Sequence, residues 1–347
     1  MSASNELRAA AAERILVKDG PYGTMIQGEG LQEADYRGGL SLDHDQRGNN
    51  DLLNLTRPEV VRGIAEQFVA SGVDILATNT FNANRISQSD YGAEHLVTDI
   101  NREAASIIRG VADEVSPKNG KLWVAGALGP TNKTLSLSPD VNDPGYREVD
   151  FATVKSVYRE QIDALVEGGI DFVLIETVFD TLNCKAAIMA ALEAEQELGR
   201  ELPIMISMTL TDLSGRNLSG HTVEGFWATV RHARPLTIGL NCSFGAAQLR
   251  PHLAALASKA EALVMAYPNA GLPNELGCYD EAAEETAAQV REWLDEGLVN
   301  IVGGCCGTTP AHIAAIASAA KGAAPRPVPT APKSTLLSGL EPMVIAA

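Results

Sequence analysis

Three cysteines at the ends of two apolar segments are the side chains with the clearest chemistry. Cys305 and Cys306 are adjacent in GGCCGTTP, and Cys242 lies in GLNCSFG. Both motifs follow a short run of apolar residues and lead toward a helix. Three thiolates with one open position form the ligand set of a catalytic zinc, and an all-sulfur shell selects a soft or borderline metal. These cysteines predict a metal site if the fold brings them together.

Two other interpretations fit the same motifs. Cysteine is often a small buried core residue, which requires no metal. The glycines of GGCCGTTP also suit an anion-binding loop at the start of a helix, as in barrels that bind phosphate near strands 7 and 8. The adjacent cysteines weaken this second interpretation, because thiols have no role in binding phosphate.

Acidic residues at two other strand ends predict a site for a zwitterionic amino acid. Asp19 follows the first apolar segment in KDGPYGT, and Glu176 follows the fourth in LIETVFD. An acid in this place needs a substrate ammonium group, a salt bridge or solvent at the rim. Gly20 and Gly23 permit a tight turn whose amides face a substrate carboxylate. The predicted substrate-binding residues are Asp19, Gly20, Gly23, Thr24, Asn79, Glu176 and Asn269.

Four polar residues at strand ends are candidates for further hydrogen bonds, although turn chemistry also explains them: Asn79, Thr80, Asn241 and Asn269. Asn269 has an additional predicted role, because it ends the apolar segment between the two segments that carry the cysteines. Its amide oxygen is expected to approach the metal when no thiol is bound. The histidines show no metal-ligand spacing.

Eight apolar segments alternate with amphipathic helices and must position these residues. The predicted strands are 15–19, 74–79, 123–129, 171–177, 203–210, 237–241, 263–269 and 300–306. The predicted helices are 57–70, 99–114, 151–167, 184–198, 222–233, 246–257, 281–295 and 310–320. Nearly continuous apolar strands are typical of parallel strands covered by helices. The alternation predicts a (β/α)8 TIM barrel, in which the carboxyl ends of the strands converge on one mouth.

The spacing between the apolar segments predicts which loops are longer than those of the smallest barrels of this fold. Residues 20–56 and 130–150 form long loops after strands 1 and 3, at the C-terminal face where barrel enzymes build active sites. Residues 1–323 form the predicted barrel. Residues 324–347 are rich in proline and lack a helical period, which predicts a C-terminal tail or linker.

Composition excludes several classes of function. The chain has 347 residues and a formal charge of −17, which disfavours nucleic acid and anionic membranes as partners. We find no signal peptide and no apolar segment of membrane-spanning length, so a cytoplasmic location is expected. The cysteine count is 5, which is odd and low for this length and argues against a disulfide framework.

Several motifs resemble a known family over essentially the whole chain. They include DGPYGTMIQ (19–27), GNNDLLNLTRPEVV (48–61), GLNCSFGA (239–246) and GGCCGTTPAHI (303–313). Together they resemble the homocysteine-binding domain of cobalamin-dependent methionine synthase, in the homocysteine S-methyltransferase family. The sequences SPDVNDPGYR and AYPNAGLPNE favour this domain over betaine-homocysteine and S-methylmethionine-homocysteine methyltransferases.

The resemblance implies roles for the residues named above. Cys242, Cys305 and Cys306 would bind zinc, while Asp19 and Glu176 would hold the amino group of homocysteine. The chain departs from the family pattern at two positions in the substrate pocket. Ala77 stands where glutamate is expected, and His221 stands where glutamine is usual.

The resemblance also implies a reaction and a partner. Homocysteine would react as a zinc-bound thiolate and take a methyl group from methylcobalamin, giving methionine. Folate- and cobalamin-binding domains do not fit in this length, so we expect either a split methionine synthase whose other functions reside on a separate cobalamin- and folate-binding subunit, or a truncated form of a longer chain. Direct use of betaine or S-methylmethionine is one alternative. A non-catalytic zinc- or thiol-binding docking module is another.

Overall fold

The computed structural model describes residues 2–330 and 334–345 and confirms the predicted barrel. Its central strands are β1 (Leu16–Val17), β2 (Ile75–Ala77), β3 (Trp123–Leu128), β4 (Phe172–Val178), β5 (Ile204–Met208), β6 (Thr237–Asn241), β7 (Leu263–Tyr267) and β8 (Ile301–Val302). All pair in parallel, in the order β1-β8-β7-β6-β5-β4-β3-β2. A parallel bridge between Lys18 and Ile75 joins the first two strands and nearly closes the barrel.

One principal helix follows each strand, as predicted, with ends moved by a few residues. These helices are α5 (Pro58–Ala70), α7 (Val97–Asn119), α8 (Phe151–Gly168), α9 (Thr181–Leu198), α10 (Val223–Val230), α11 (Ala246–Ala257), α12 (Ala283–Asp295) and α13 (Pro310–Ala320). Local sequence sets several of their starts: Asp150 and Asp180 cap α8 and α9, and Pro58 begins α5. Across residues 2–330 and 334–345, no helix combines the length and apolarity needed to span a membrane.

Shorter helices lie at both ends of the barrel. The first, α1 (Ala3–Glu13), was not predicted, and its Leu7 and Ala11 pack into the apolar cluster inside the barrel. The others lie in the loops: α2 (Tyr22–Gly28), α3 (Glu33–Arg37), α4 (Leu53–Thr56) and α6 (Arg85–Gln88). The predicted long loops after β1 and β3 are present, and residues 78–96 form another long loop after β2.

The barrel interior changes from apolar to polar toward the C-terminal ends of the strands. Buried apolar side chains form the lower layer: Leu16, Leu174, Met205 and Met265. Alternate residues of a strand face the same side. The next inward positions on these strands are Lys18, Glu176, Ser207 and Tyr267. The interior is therefore polar at the end of the barrel where the cysteines lie.

Part of the segment predicted as a tail contacts the barrel. Residues Thr335–Leu337 (β9) and Met343–Ile345 (β10) form an antiparallel hairpin. Thr222, at the start of α10, donates its amide to Leu340 O at 2.9 Å. Arg326 is buried against the end of α11. Residues 331–333 and 346–347 lie outside the described part of the chain.

Candidate metal and substrate site

The structure brings together the three predicted metal ligands. The sulfur atoms of Cys242, Cys305 and Cys306 lie within 4.8 Å of one another. The Cys242 and Cys306 sulfurs are 3.6 Å apart. Hydrogen bonds from Cys242 and Cys305 lower the pKa of Cys306 to about 3, which favours its thiolate form. This geometry and charge suit a bound metal ion.

A strained turn places the first of these sulfurs. Cys242 follows β6 with φ 61°, and the next residue, Ser243, has φ 66°. Left-handed backbone at residues other than glycine costs about 1–3 kcal/mol each and persists only where surrounding contacts hold it. The Ser243 hydroxyl accepts a hydrogen bond from Leu210 N at 2.8 Å, and Cys242 N donates to Tyr267 O at 3.2 Å. These contacts hold the turn that aims Cys242 at the other thiols.

Backbone hydrogen bonds fix the loop that carries the other two sulfurs. Cys305 N donates to Pro268 O at 2.7 Å, and Cys306 O accepts from Ala270 N at 2.9 Å. Glycine is needed at position 304, where a Cβ would lie 2.3 Å from the Thr308 hydroxyl oxygen. The loop after β7 therefore supports the GGCC loop on both sides of the cysteine pair.

Glu176 points into the barrel from an irregular part of β4. The register between β4 and β5 shifts between Ile175 and Val178, and Thr177 has φ 59°. Positive φ is unfavourable for a β-branched residue, and bulges beside active sites redirect side chains. One Glu176 carboxylate oxygen accepts a hydrogen bond from the Tyr267 hydroxyl at 3.0 Å.

Asn241 holds this irregular segment beside the thiols, although it is not in the predicted site. Its side-chain oxygen accepts from Thr177 N at 3.1 Å and from the Ser207 hydroxyl at 2.6 Å. Its side-chain nitrogen donates to the Thr177 hydroxyl at 2.9 Å and lies 3.8 Å from the Cys305 sulfur. A polar residue that ends an apolar strand is the sequence signal for Asn241, but its partners depend on the barrel.

Asp19 is paired within the protein. It is 0% exposed, and its Oδ1 accepts a hydrogen bond from the Lys18 ammonium group at 2.8 Å. Its Oδ2 accepts from Ala77 N at 2.8 Å. Burial raises the pKa of Asp19, while the positive charge of Lys18 opposes that shift. The salt-bridge alternative from the sequence is therefore present in the structure.

Lys18 and Tyr267 are residues that the sequence analysis missed. Lys18 is 4% exposed, and its ammonium nitrogen lies 4.8 Å from the centre of the Tyr267 ring. The signal for Lys18 was a cation inside an apolar segment, where a charge needs a partner. Tyr267 gave no such signal, because tyrosine is common at the end of a buried strand.

The other predicted substrate residues support the loops around the mouth. A Cβ at Gly20 would lie 2.8 Å from the Phe68 ring, while Gly23 lies in the first turn of α2 instead of a tight turn. The Thr24 hydroxyl accepts from Gly307 N in the cysteine loop at 3.1 Å. Asn79 donates its side-chain amide to Asn50 O at 2.8 Å.

Asn269 is buried next to the cysteine loop, and its side-chain oxygen has no hydrogen-bond partner among the described residues. The adjacent backbone of Pro268 and Ala270 binds the cysteine loop.

His221, the other departure from the family pattern, is half-buried, with its Nδ1 3.1 Å from the Thr181 hydroxyl. Burial lowers the pKa of His221.

A cavity of about 320 Å³, lined mainly by residues with polar side chains, lies between the loops after β1, β2 and β3. Asp51 and Asp90 are among its lining residues. Asp51 is 3% exposed, and its carboxylate accepts one hydrogen bond, from Asn82 N at 3.0 Å. Burial raises the pKa of Asp51 to about 7. The ionisation of Asp51 is therefore coupled to folding.

Asp51→Asn is expected to stabilise the protein relative to the wild type at pH 8 and to have little effect at pH 4. Near pH 4 the folded protein carries a protonated Asp51, which asparagine mimics. Between about pH 4 and pH 7, Asp51 is ionised in the unfolded chain but still protonated in the folded protein. The free energy of unfolding of the wild type therefore falls as the pH rises through this range. The difference between the pKa of Asp51 in the folded protein, about 7, and the ordinary pKa of aspartate in the unfolded chain limits this loss to about 4 kcal/mol.

The measurement is the thermal midpoint of Asp51→Asn minus that of the wild type, taken at several values between pH 4 and 8. Asp90→Asn is the control, because this exposed carboxylate lines the same cavity. A midpoint difference for Asp51→Asn that does not change with pH would show that Asp51 is ionised throughout this range in the folded protein.

Comparisons with known proteins identify the family. The sequence model described as Homocysteine S-methyltransferase matches residues 16–320. The metallated form of the homocysteine methyltransferase MmuM from Escherichia coli has a TM-score of 0.69 and 21% identity, covering 90% of this chain and 99% of that chain. Its oxidized form has a TM-score of 0.67 and 20% identity, covering 88% and 95%. These structures share the fold. Because the family match runs from β1 to the end of α13, the chain belongs to the homocysteine S-methyltransferase family.

Proposed function

We propose that this chain methylates homocysteine at a zinc ion held by Cys242, Cys305 and Cys306. We further propose that methylcobalamin on a separate cobalamin- and folate-binding methionine synthase subunit supplies the methyl group. Membership of the family supports methyl transfer to homocysteine. The cluster of three thiols is the observation that carries the zinc proposal.

The residues around the thiols fit a zinc ion. Three sulfurs within 4.8 Å of one another provide the protein ligands of an open tetrahedral site. The buried side-chain oxygen of Asn269, which has no hydrogen-bond partner among the described residues, is the candidate fourth ligand when no thiol is bound. A zinc ion in such a site supplies Lewis acidity that keeps a coordinating thiol deprotonated.

The chain's own residues bind and orient the amino acid. Glu176 presents a carboxylate beside the cysteine cluster for the ammonium group of homocysteine. Gly20, Gly23 and Thr24 lie at the proposed carboxylate end, where Thr24 contacts the cysteine loop through Gly307 N. The strained turns at Thr177 and Cys242 keep these groups in place before the ligand arrives.

The rim of the barrel supports a macromolecular methyl donor. Val141 is 95% exposed, Leu213 is 71% exposed and Leu276 is 88% exposed. They lie in the loops after β3, β5 and β7, at the same end of the barrel as the cysteines. A contiguous exposed apolar patch around a site is typical of a docking surface for another protein, and we propose that these three side chains belong to one. A small donor such as betaine or S-methylmethionine would need no such rim.

A donor assay tests the proposal. The zinc-loaded chain and homocysteine are incubated with methylcobalamin, betaine or S-methylmethionine, and methionine is quantified. We expect methionine with methylcobalamin only, at a low rate because the free cofactor lacks its carrier protein. Turnover with betaine or S-methylmethionine in the absence of a corrinoid would reject cobalamin dependence. Homocysteine binding without methionine from any donor would support the docking-module alternative.

A further inference from the structure

We propose that hydrogen bonds from Asn241 and Tyr279 make Cys305 and Cys306 poorer nucleophiles, so that the methyl group goes to the sulfur of the bound amino acid. This inference rests on the proposed function, because it concerns which sulfur at the metal site accepts the methyl group. Asn241 and Tyr279 act through the cysteines that they contact and are therefore positioning residues.

The metal site presents a methyl donor with several sulfurs of the same kind. The three cysteine sulfurs lie within 4.8 Å of one another, and the homocysteine sulfur would join them. A thiolate attacks a methyl group whichever residue carries it, and a methylated cysteine loses the thiolate that binds the metal. A productive site therefore requires the cysteine sulfurs to react more slowly than the ligand sulfur.

The side chain of Asn241 is oriented with an N–H group toward Cys305. Thr177 N can only donate, and it lies 3.1 Å from Asn241 Oδ1, which fixes the oxygen end of the amide. The opposite Nδ2 donates to the Thr177 hydroxyl at 2.9 Å and lies 3.8 Å from the Cys305 sulfur, within reach of an N–H···S hydrogen bond. Asn241 is 1% exposed, so this contact is shielded from solvent.

Tyr279 makes the corresponding contact with Cys306. Its hydroxyl group forms a hydrogen bond with the Cys306 sulfur. The Tyr279 side chain lies against the cysteine loop, where a Cβ at Gly307 would come within 2.3 Å of the Tyr279 Cβ. A bridge to Pro273 holds the tyrosine within the loop after β7. The end of β6 and the loop after β7 therefore each supply a donor to one cysteine sulfur.

A hydrogen-bond donor lowers the nucleophilicity of a thiolate. The donor stabilises the negative charge on sulfur, and nucleophilicity falls as the basicity of the thiolate falls. The two N–H groups of Asn241 are committed to Thr177 and Cys305, and the single O–H of Tyr279 is committed to Cys306. These donors therefore act on the cysteine sulfurs and leave the ligand sulfur as the stronger nucleophile.

Alkylation by methyl iodide tests the proposal on the zinc-loaded protein. The attacking sulfur forms an S–CH₃ bond as the carbon–iodine bond breaks and iodide leaves, and peptide mass spectrometry measures S-methylcysteine at each position. Asn241→Leu and Asn241→Asp both remove the N–H donor, so we expect about 3- to 10-fold faster methylation of Cys305. Tyr279→Phe removes the hydroxyl group, and we expect a similar increase at Cys306 instead.

Reference sulfurs and a matched variant control the experiment. Cys242 is the reference inside the site, because its donor is a backbone N–H that these substitutions leave in place. Exposed Cys278 reports the dose of methyl iodide. Ser207→Ala removes one hydrogen bond to Asn241 Oδ1 but leaves the contact with Cys305, so we expect the wild-type pattern. Zinc content is measured for every protein.

The distribution of methyl groups decides the outcome. Equal increases at all three site cysteines would show a loosened site or a change in its overall charge, and the proposal would be wrong. Unchanged methylation of Cys305 and Cys306 in the variants would also contradict it. Should the Asn241 variants fail to fold or to retain zinc, Tyr279→Phe decides alone, and an unchanged rate at Cys306 overturns the proposal.

The same proteins keep this inference distinct from the proposed function, because methyl iodide alkylation needs neither homocysteine nor a corrinoid. A wild-type protein that gives no methionine in the donor assay, while the variants show the expected alkylation pattern, contradicts the proposed function and leaves the effect of the two donors established. A protein that makes methionine, with an unchanged alkylation pattern in its variants, contradicts only this inference.

Discussion

Cys305→Ser is expected to reduce bound zinc from about one ion per chain to a small fraction of that value. Serine is nearly isosteric with cysteine, but its neutral hydroxyl is a poor zinc ligand compared with a thiolate. Cys305 lies within 4.8 Å of both other sulfurs, so its loss leaves only two thiols at the site. Substituting a residue that only contacts a metal ligand typically lowers metal affinity or activity by about 10- to 100-fold. Loss of a ligand should lower homocysteine methylation by at least about 100-fold.

Metal analysis of purified protein, followed by the methionine assay, measures both effects. Cys278→Ser is the matched control, because Cys278 is exposed and is not among the three clustered cysteines. The control should keep its zinc and its activity. If Cys305→Ser retains the wild-type amount of zinc, the three cysteines are not the metal site, and the interpretation of small buried core residues takes precedence.

Arg326→Met is expected to lower the free energy of unfolding by about 3 kcal/mol. Arg326 is 4% exposed, and its guanidinium group donates to the carbonyl oxygens of Ala257, Ala260 and Ala262 at 2.5–3.1 Å. Ala257 ends α11, where backbone carbonyls lack partners within the helix and the helix dipole favours a cation. Methionine fills similar space but leaves these carbonyls without the donor, at about 1 kcal/mol or more for each.

Urea denaturation followed by circular dichroism measures this loss. Arg8→Met is the control, because Arg8 is exposed and makes no hydrogen bond or ion pair among the described residues. A surface substitution of this kind changes stability by about 0.5 kcal/mol or less. An Arg326→Met protein as stable as the wild type would show that the hydrogen bonds of the Arg326 guanidinium group add nothing to the stability of the barrel.

Most of the barrel could be predicted from the sequence because its signals are local. The eight apolar segments are continuous, since parallel strands are covered on both faces, and the helices between them carry ordinary capping residues. The proximity of Cys242 to Cys305 and Cys306 then follows from fold class, because the ends of β6 and β8 meet at one mouth. The helix α1 was missed although its alanine-rich sequence favours a helix, whereas its packing against the bottom of the barrel depends on tertiary structure.

The sequence by itself determined the fold class, the strand ends that carry chemistry and the type of metal that three thiols would select. Only the tertiary structure decided how the charged side chains are paired. Asp19 and Glu176 have the same local context, yet one is 0% exposed beside Lys18 and the other is partly exposed beside the cysteines. Secondary structure and the metal preference of a side chain follow from the residue types within a short stretch of the chain. The partner of a buried charge depends instead on which strands lie side by side, and on contacts between residues far apart in the chain.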